Sequence, residues 1–359
     1  MAFDLERLFV DVFAPAPGEV VTMLYDLPHG ELSDHEAWRE RRAMAEDWHW
    51  QIVAFSVDYG MWVNPVVTYQ ATGSHNANMP ESGMCEGKRV RLEDTIGEST
   101  IVISMPQYSA SAPLLGLTRK YEKLRAASMP LVARAMEETG LSADYRQVAA
   151  ACDRIAPGFE RAEAVEVIFS TGHTCTFDLS DHKPVLKDNG QLHPGAASSD
   201  FRLANLPAGE VCTVPNEAGD SRTAGEIPAV SGDETVVFVV RHNQIVDVGG
   251  DGPVAKRMRC AFRDEPAMRN IAEVAIGCND KAVVTGNPLE DEKAGFHWAY
   301  GRSEHIGGTV GPDDFSSPDK VVHYDIVYAK GNPVVCAQLD FVNPDGTRAT
   351  AIKDGVLIV

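Results

Sequence analysis

Paired cysteines are missing from this sequence. Its seven cysteines (Cys85, Cys152, Cys175, Cys212, Cys260, Cys278 and Cys336) stand singly, with no CxxC, and their number is odd. Neither a disulfide framework nor a thiolate zinc site is expected. Basic charge is short. Lys and Arg total 32 against 52 Asp and Glu, a net charge of -20. That balance argues against a nucleic-acid groove and against docking on an anionic membrane. No unbroken apolar run reaches the roughly eighteen residues of a membrane span. The opening MAFDLERLF carries acids early and has no long apolar core, so no signal peptide is expected and a cytoplasmic location is the default. No GxGxxG or GxxxxGK[ST] follows any candidate strand, which leaves a dinucleotide or P-loop reading without support. No repeat of fixed period is visible, which argues against a solenoid or propeller.

What is present fits a two-domain protein. A chain of 359 residues exceeds the usual single-domain size. In the first part, Glu19 to Leu27 reads as a strand. A helix capped by Ser33 or Asp34 runs to about Trp48. Gln51 to Ser56, Met61 to Tyr69 and Ser99 to Met105 read as strands, and Gly73 to Gly87 as a loop. Ala112 to Arg125, Leu131 to Thr139 and Asp144 to Ile155 read as helices. Such alternation predicts an α/β domain with a mostly parallel sheet over residues 1–160. Ser74-His75-Asn76 and Trp48-His49-Trp50 read as solvated loop and packing rather than as sites.

From Val165 onward, short β-rich runs alternate with Gly, Pro and Asp turns. Val165 to Phe169, Thr174 to Leu179, Gly209 to Val214, Glu234 to Val240, Asn243 to Val248, Lys281 to Thr285 and Pro333 to Leu339 are the candidate strands. Only Pro266 to Val274 has a helical look. Asp181 to Ser199 reads as a surface loop, and the terminal DGVLIV as a strand tucked into a sheet. These features predict a β-rich α+β domain over residues 161–359.

The chemistry-bearing residues lie in that second part. Val321 to Tyr328 reads as a strand, so His323 and Asp325 share a face. An imidazole and a carboxylate on an apolar strand face need a partner, because burying them unpaired is costly. A metal ion would serve both, and so would a mutual hydrogen bond. Glu210 opens a strand after Pro207-Ala208-Gly209, where glycine allows close backbone approach. Glu273 is the one acid in the apolar run of RNIAEVAIGCN, and His297 sits between Gly295 and Gly301. Carboxylates with imidazoles suit zinc, cobalt, manganese or iron(II). Glu210, Glu273, His297, His323 and Asp325 exceed what one catalytic zinc usually takes. They make a plausible set for two ions sharing a carboxylate.

The order NLPAGEV, NIAEVAIGCN, EDEKAGFHWAYG, HYD resembles the metalloaminopeptidases typified by aminopeptidase T and aminopeptidase S. The resemblance implies an α/β domain followed by a β-rich metal-binding domain, a homodimer, and two divalent ions on Glu210, Glu273, His297, His323 and Asp325. It implies a hydrolase, an aminopeptidase removing N-terminal residues from a small peptide or aminoacyl substrate; in such chemistry Glu273, or a free carboxylate such as Glu210, would shuttle the proton. The family has a tyrosine about seven residues after the His297 position, held to assist catalysis. This chain has Glu304 there, followed by His305, and these are the candidate replacements; Tyr300 lies on a different offset. Ring-cleaving dioxygenases acting on dihydroxypyridine resemble the same fold and use one iron(II), for which His297, His323 and Asp325 would suffice. A degenerate homologue that binds metal without turnover is the third alternative.

Overall fold

The computed structural model describes residues 3–195 and 202–359. Its chain divides into two compact units. One comprises residues 1–149, 188–208 and 280–282, and the other 150–187, 209–279 and 283–359.

The first unit holds the mostly parallel sheet. In spatial order its strands are Leu203–Asn205, Arg125–Ser128, Ile101–Ser104, Val20–Leu27, Val67–Gln70, Ser82–Cys85 and Lys88–Arg91, with Trp62–Val63 also paired to Val20–Leu27. The pairings are parallel as far as Val67–Gln70 and antiparallel beyond it. Val20–Leu27 is central because it is almost wholly apolar and buried on both faces, as parallel strands require. Its one acid, Asp26, is fully buried. That carboxylate accepts from Trp38 Nε1 at 2.9 Å and from the amides of Gln107 and Tyr108 at 2.7 and 3.1 Å.

Several sequence expectations for this unit change. The helix Glu36–Tyr59 absorbs the stretch Gln51 to Ser56 that reads as a strand. Within it Trp48, Ile52, Phe55 and Ser56 are buried while Trp50 and Val57 are exposed, which is helical spacing. A short apolar run does not by itself separate the two periods. The cap is His35, one residue past Asp34, with Nδ1 accepting from Trp38 N at 3.3 Å. Pro65 splits Met61 to Tyr69 into two strands, and Gly73 to Gly87 contains the strand Ser82–Cys85. The helix Ser111–Lys120 ends five residues before Arg125, which opens a further strand, and Leu131 to Thr139 forms only a short 3-10 turn.

The second unit is β-rich. An eight-stranded antiparallel sheet runs Gln244–Gly249, Glu234–Arg241, Ala224–Ser231, Thr174–Asp178, Ala164–Phe169, Cys336–Val342, Arg348–Lys353, Val356–Leu357. A five-stranded sheet runs Leu186–Asp188, Glu210–Thr213, Ile271–Gly277, Phe296–Gly301, His323–Val327. The two sheets share one core, in which Phe177 meets Phe296 and Phe238 meets Trp298 edge-on. The terminal DGVLIV supplies the edge strand Val356–Leu357.

Here too the reading needs correction. Pro266 to Val274 is not helical: a 3-10 turn over Pro266–Arg269 leads into the strand Ile271–Gly277, whose residues are all buried. The helix of this region is Pro253–Asp264, with Pro253 in its first turn. Lys281 to Thr285 is irregular, and Pro333 to Leu339 becomes a strand only from Cys336. The Asp181 to Ser199 loop includes a short strand at Leu186–Asp188, and its residues 196–199 lie outside the described residues. Among the described residues no helix is long and apolar enough to cross a membrane.

Candidate metal centre

Cross-strand register places the polar groups. In the five-stranded sheet, Glu210 stands opposite Gly277, Ala275 opposite His297, Glu273 opposite Ala299, and Ala299 opposite Asp325. His323 stands opposite Gly301. Side chains two apart share a face, so Glu210, Glu273, His297, His323 and Asp325 all project from one side. Ala275, Gly277, Ala299 and Gly301 lie between them, with Cys212 and Val327 on the same face. The alternate residues, Val211, Val274, Ile276, Phe296, Trp298 and Tyr300, point the other way into the core.

The five groups converge as two triads. Glu210, Glu273 and His297 present ligand atoms within 4.8 Å of one another, and so do Glu273, His323 and Asp325. Glu273 belongs to both. Its Oε2 lies 2.8 Å from His323 Nε2 and its Oε1 3.8 Å from His297 Nε2. Glu210 Oε2 is 3.3 Å from His297 Nε2, and Asp325 Oδ1 is 3.5 Å from His323 Nε2. Each imidazole is oriented from behind. His297 Nδ1 meets the carbonyl of Gly295 at 3.2 Å, and His323 Nδ1 that of Arg302 at 2.7 Å. Each Nε2 therefore faces the cluster, the usual way a ligating histidine is fixed.

Charge is concentrated here. Burial works against every ion, yet the groups hold one another charged. Burial opposes ionisation of Glu210, but Lys293 and His297 outweigh it and hold its carboxyl down at about 2. Burial also opposes protonation of His297, but Glu210, Glu273 and Asp325 raise it to about 9. His323 is likewise raised by Asp325 and Glu273 against the effect of burial. Asp325 is lowered, because His323 and His297 overcome its burial. The Cys212 thiol lies on the same face. Burial, with Glu273 and Glu210 beside it, pushes it well up, and its sulfur is not among the ligand atoms of either triad.

The donor set fits a hard or borderline divalent cation. Glu210 Oε2 is a buried carboxylate oxygen without a hydrogen-bond donor, on the side facing His297. A cation there would satisfy it. Carboxylates with Nε2-presenting imidazoles are the ligands such ions take.

Two ionisable groups behind the cluster went unnoticed in the sequence. Lys293 is fully buried, with Nζ 2.5 Å from Glu210 Oε1 and 2.8 Å from Glu292 Oε1. Burial, reinforced by Glu210 and Asp325 against the pull of Lys293, raises Glu292 to about 8. Within EDEKAG these residues look like a solvated charge run. The available signal was their place, directly ahead of Gly295 and a strand buried throughout. Gly277 explains how they reach the site: a Cβ there would stand 2.2 Å from the Glu292 carbonyl oxygen. Gly209, at φ 126, makes the turn ahead of Glu210 that its sequence position suggests.

The structure does not bring Glu304 to the cluster. Its side chain is half exposed and paired with Arg302 Nη2 at 2.8 Å. His305 is closer, its ring edge-on to His323 with centroids 4.9 Å apart. Burial, then His323 and Arg302, push its pKa well below the ordinary value, and its Nδ1 is buried without a partner. Tyr300 faces the core on the opposite side of the sheet from the triads and stacks on Tyr324.

No protein-family model and no curated protein sequence matches the chain. Among solved structures it is similar to wild-type AmpT (aminopeptidase T) from Thermus thermophilus. The TM-score is 0.62 at 14% identity, covering 99% of this chain and 98% of that one. It is similar to the same degree to 2,5-dihydroxypyridine dioxygenase from Pseudomonas putida KT2440, with TM-score 0.62 and 14% identity over 99% of this chain and 97% of the other. These likenesses are of fold: a mixed α/β architecture with one mostly parallel and two antiparallel sheets.

Proposed function

We propose that the chain is a metal-dependent hydrolase of the aminopeptidase type, cleaving N-terminal residues from small peptides or aminoacyl compounds. The observation that carries this reading is the shared carboxylate. Glu273 turns one oxygen toward each of two triads of otherwise separate donors. Glu210, Glu273 and His297 would hold one divalent ion, and Glu273, His323 and Asp325 a second, with zinc, cobalt or manganese suited to both. When bound, such a pair makes hydroxide from water near neutral pH and polarises a carbonyl.

The chain's own residues supply the rest. The carbonyls of Gly295 and Arg302 keep both imidazoles aimed inward. The acidic face favours the cationic α-amine of a peptide substrate. His305 is the group assigned to take a proton, at its unpartnered Nδ1, against the burial and the neighbouring His323 and Arg302 that keep the ring neutral at rest. Glu304, engaged by Arg302 at the surface, takes no part.

The second reading is a dioxygenase using one iron(II) on His297, His323 and Asp325, favoured by the equal likeness to the dihydroxypyridine enzyme. The convergent triads favour the first reading, because each contains Glu273 and neither contains both imidazoles. Metal content with activity decides. Near two zinc-like ions per chain, with chelator-sensitive release of N-terminal residues from aminoacyl amides, is expected. One iron with oxygen uptake overturns the hydrolase in favour of the dioxygenase. Metal binding without turnover of either substrate class leaves the degenerate homologue.

A further inference from the structure

The two triads have the same composition, two carboxylates and one imidazole, with Glu273 in common. Their surroundings differ in where the neighbouring cations pair: Lys293 pairs with a ligand of the first triad, whereas Arg302, beside the second, pairs with Glu304. Lys293 Nζ sits 2.5 Å from Oε1 of Glu210, a ligand of the first triad alone. The ion pairs of Glu273 and Asp325 run instead to the imidazoles. This ammonium is not on a loose tether. The Lys293 side chain is fully buried, a second carboxylate, Glu292, holds it at 2.8 Å, and the Lys293 carbonyl accepts from Asn279 N at 3.0 Å. Gly277 lets the segment lie directly on the strand.

We infer that Lys293 is a positioning residue that makes the two ion sites unequal, so that the Glu273–His323–Asp325 site fills first and the Glu210–Glu273–His297 site fills second and more weakly. The inference rests on the two-ion reading and deepens it. A divalent ion entering the Glu210 triad must approach a carboxylate whose charge is already shared with a fixed ammonium, and is repelled by that ammonium at short range. It also arrives after the shared Glu273 has been drawn toward the first ion. In return Lys293 ties up Oε1, so that Glu210 offers the single oxygen Oε2. The number of ions held therefore depends on free metal, and at limiting supply the chain is a one-ion protein.

The test is a titration of the metal-free full-length chain with Zn(II) by calorimetry and with Co(II) by visible absorption, neither of which reads turnover. Two steps separated by at least about tenfold in affinity are expected. Lys293→Met should tighten the second step by about tenfold or more and shift the first by less than threefold, while Lys293→Arg keeps the separation. Glu210→Gln should remove the second step only, and Asp325→Asn should weaken the first. Those two variants decide the order of filling even if Lys293→Met does not fold. Two equal steps in the parent chain, or a gap unchanged in a folded Lys293→Met variant, overturn the inference while leaving the two-ion reading in place. Saturation at one ion in every variant removes that reading and this inference with it.

Discussion

Glu273 and Asp325 occupy one cross-strand row, separated only by Ala299. Both carboxylates reach His323 Nε2, at 2.8 and 3.5 Å. The row is why one substitution should reach both triads. Glu273→Gln keeps the size of the side chain and removes the shared charge. It should reduce bound metal from two ions per chain to one or none, where Glu210→Gln leaves one. Elemental analysis of the dialysed proteins reads the difference.

Metal affinity should rise with pH. The metal-free His297 holds its proton up to about 9, despite burial, because of Glu210, Glu273 and Asp325. An ion requires the neutral imidazole, so binding expels that proton. Affinity should climb with pH throughout the range below about 9 and level off above it, by up to about tenfold per pH unit for each proton released. Calorimetry in two buffers of different ionisation heat counts the protons. The metal-free fold should behave oppositely. A pKa raised from about 6.5 stabilises it fully below that value, and this contribution is lost as pH passes 9. Melting curves with chelator across that window would show a fall.

His305 and Glu304 should separate in kinetics. His305→Gln removes the neutral imidazole beside His323 and should lower kcat by about a hundredfold or more, the usual scale for lost proton transfer. Glu304→Gln changes a half-exposed carboxylate paired with Arg302 and should change kcat less than about threefold. Metal content should stay at the parent level in both. An equal loss in the two variants would remove His305 from the mechanism.

Gly277→Ala should be felt in stability first. The added Cβ would sit 2.2 Å from a backbone oxygen, which a side-chain rotation cannot relieve. Overpacking of this kind costs about 1–3 kcal/mol. Denaturant unfolding reads that cost, and the same variant should disturb Lys293 and with it the second metal step.

The strand His323–Val327 was legible because Val321 to Tyr328 is rich in β-branched and aromatic residues, which favour strands. The convergence of its histidine with Glu210 was not, since register between distant strands is set by packing. Glu273 was recognised as an ion in an apolar run, yet its strand read as a helix, because Ala and Glu favour helices and only the sheet on both sides overrides them. The second half of Glu36–Tyr59 failed in the opposite sense, through β-branched residues in a helix. Lys293 was invisible for a plainer reason. Charge beside charge in sequence signals solvent, and its place ahead of Gly295 and a buried strand does not show that a glycine-bearing strand will cover it.

The five-stranded sheet is dry on one side and ionic on the other, and its two characters alternate along each strand. Reactive residues and packing residues are thus interleaved without sharing neighbours in space. A substitution at Glu273, His297, His323 or Asp325 rewrites the chemistry while Val274, Trp298 and Ile326 still pack into the same core. A framework built this way is free to exchange one set of reactive groups for another and keep its shape, which is what a common scaffold under a peptidase and an oxygenase demands.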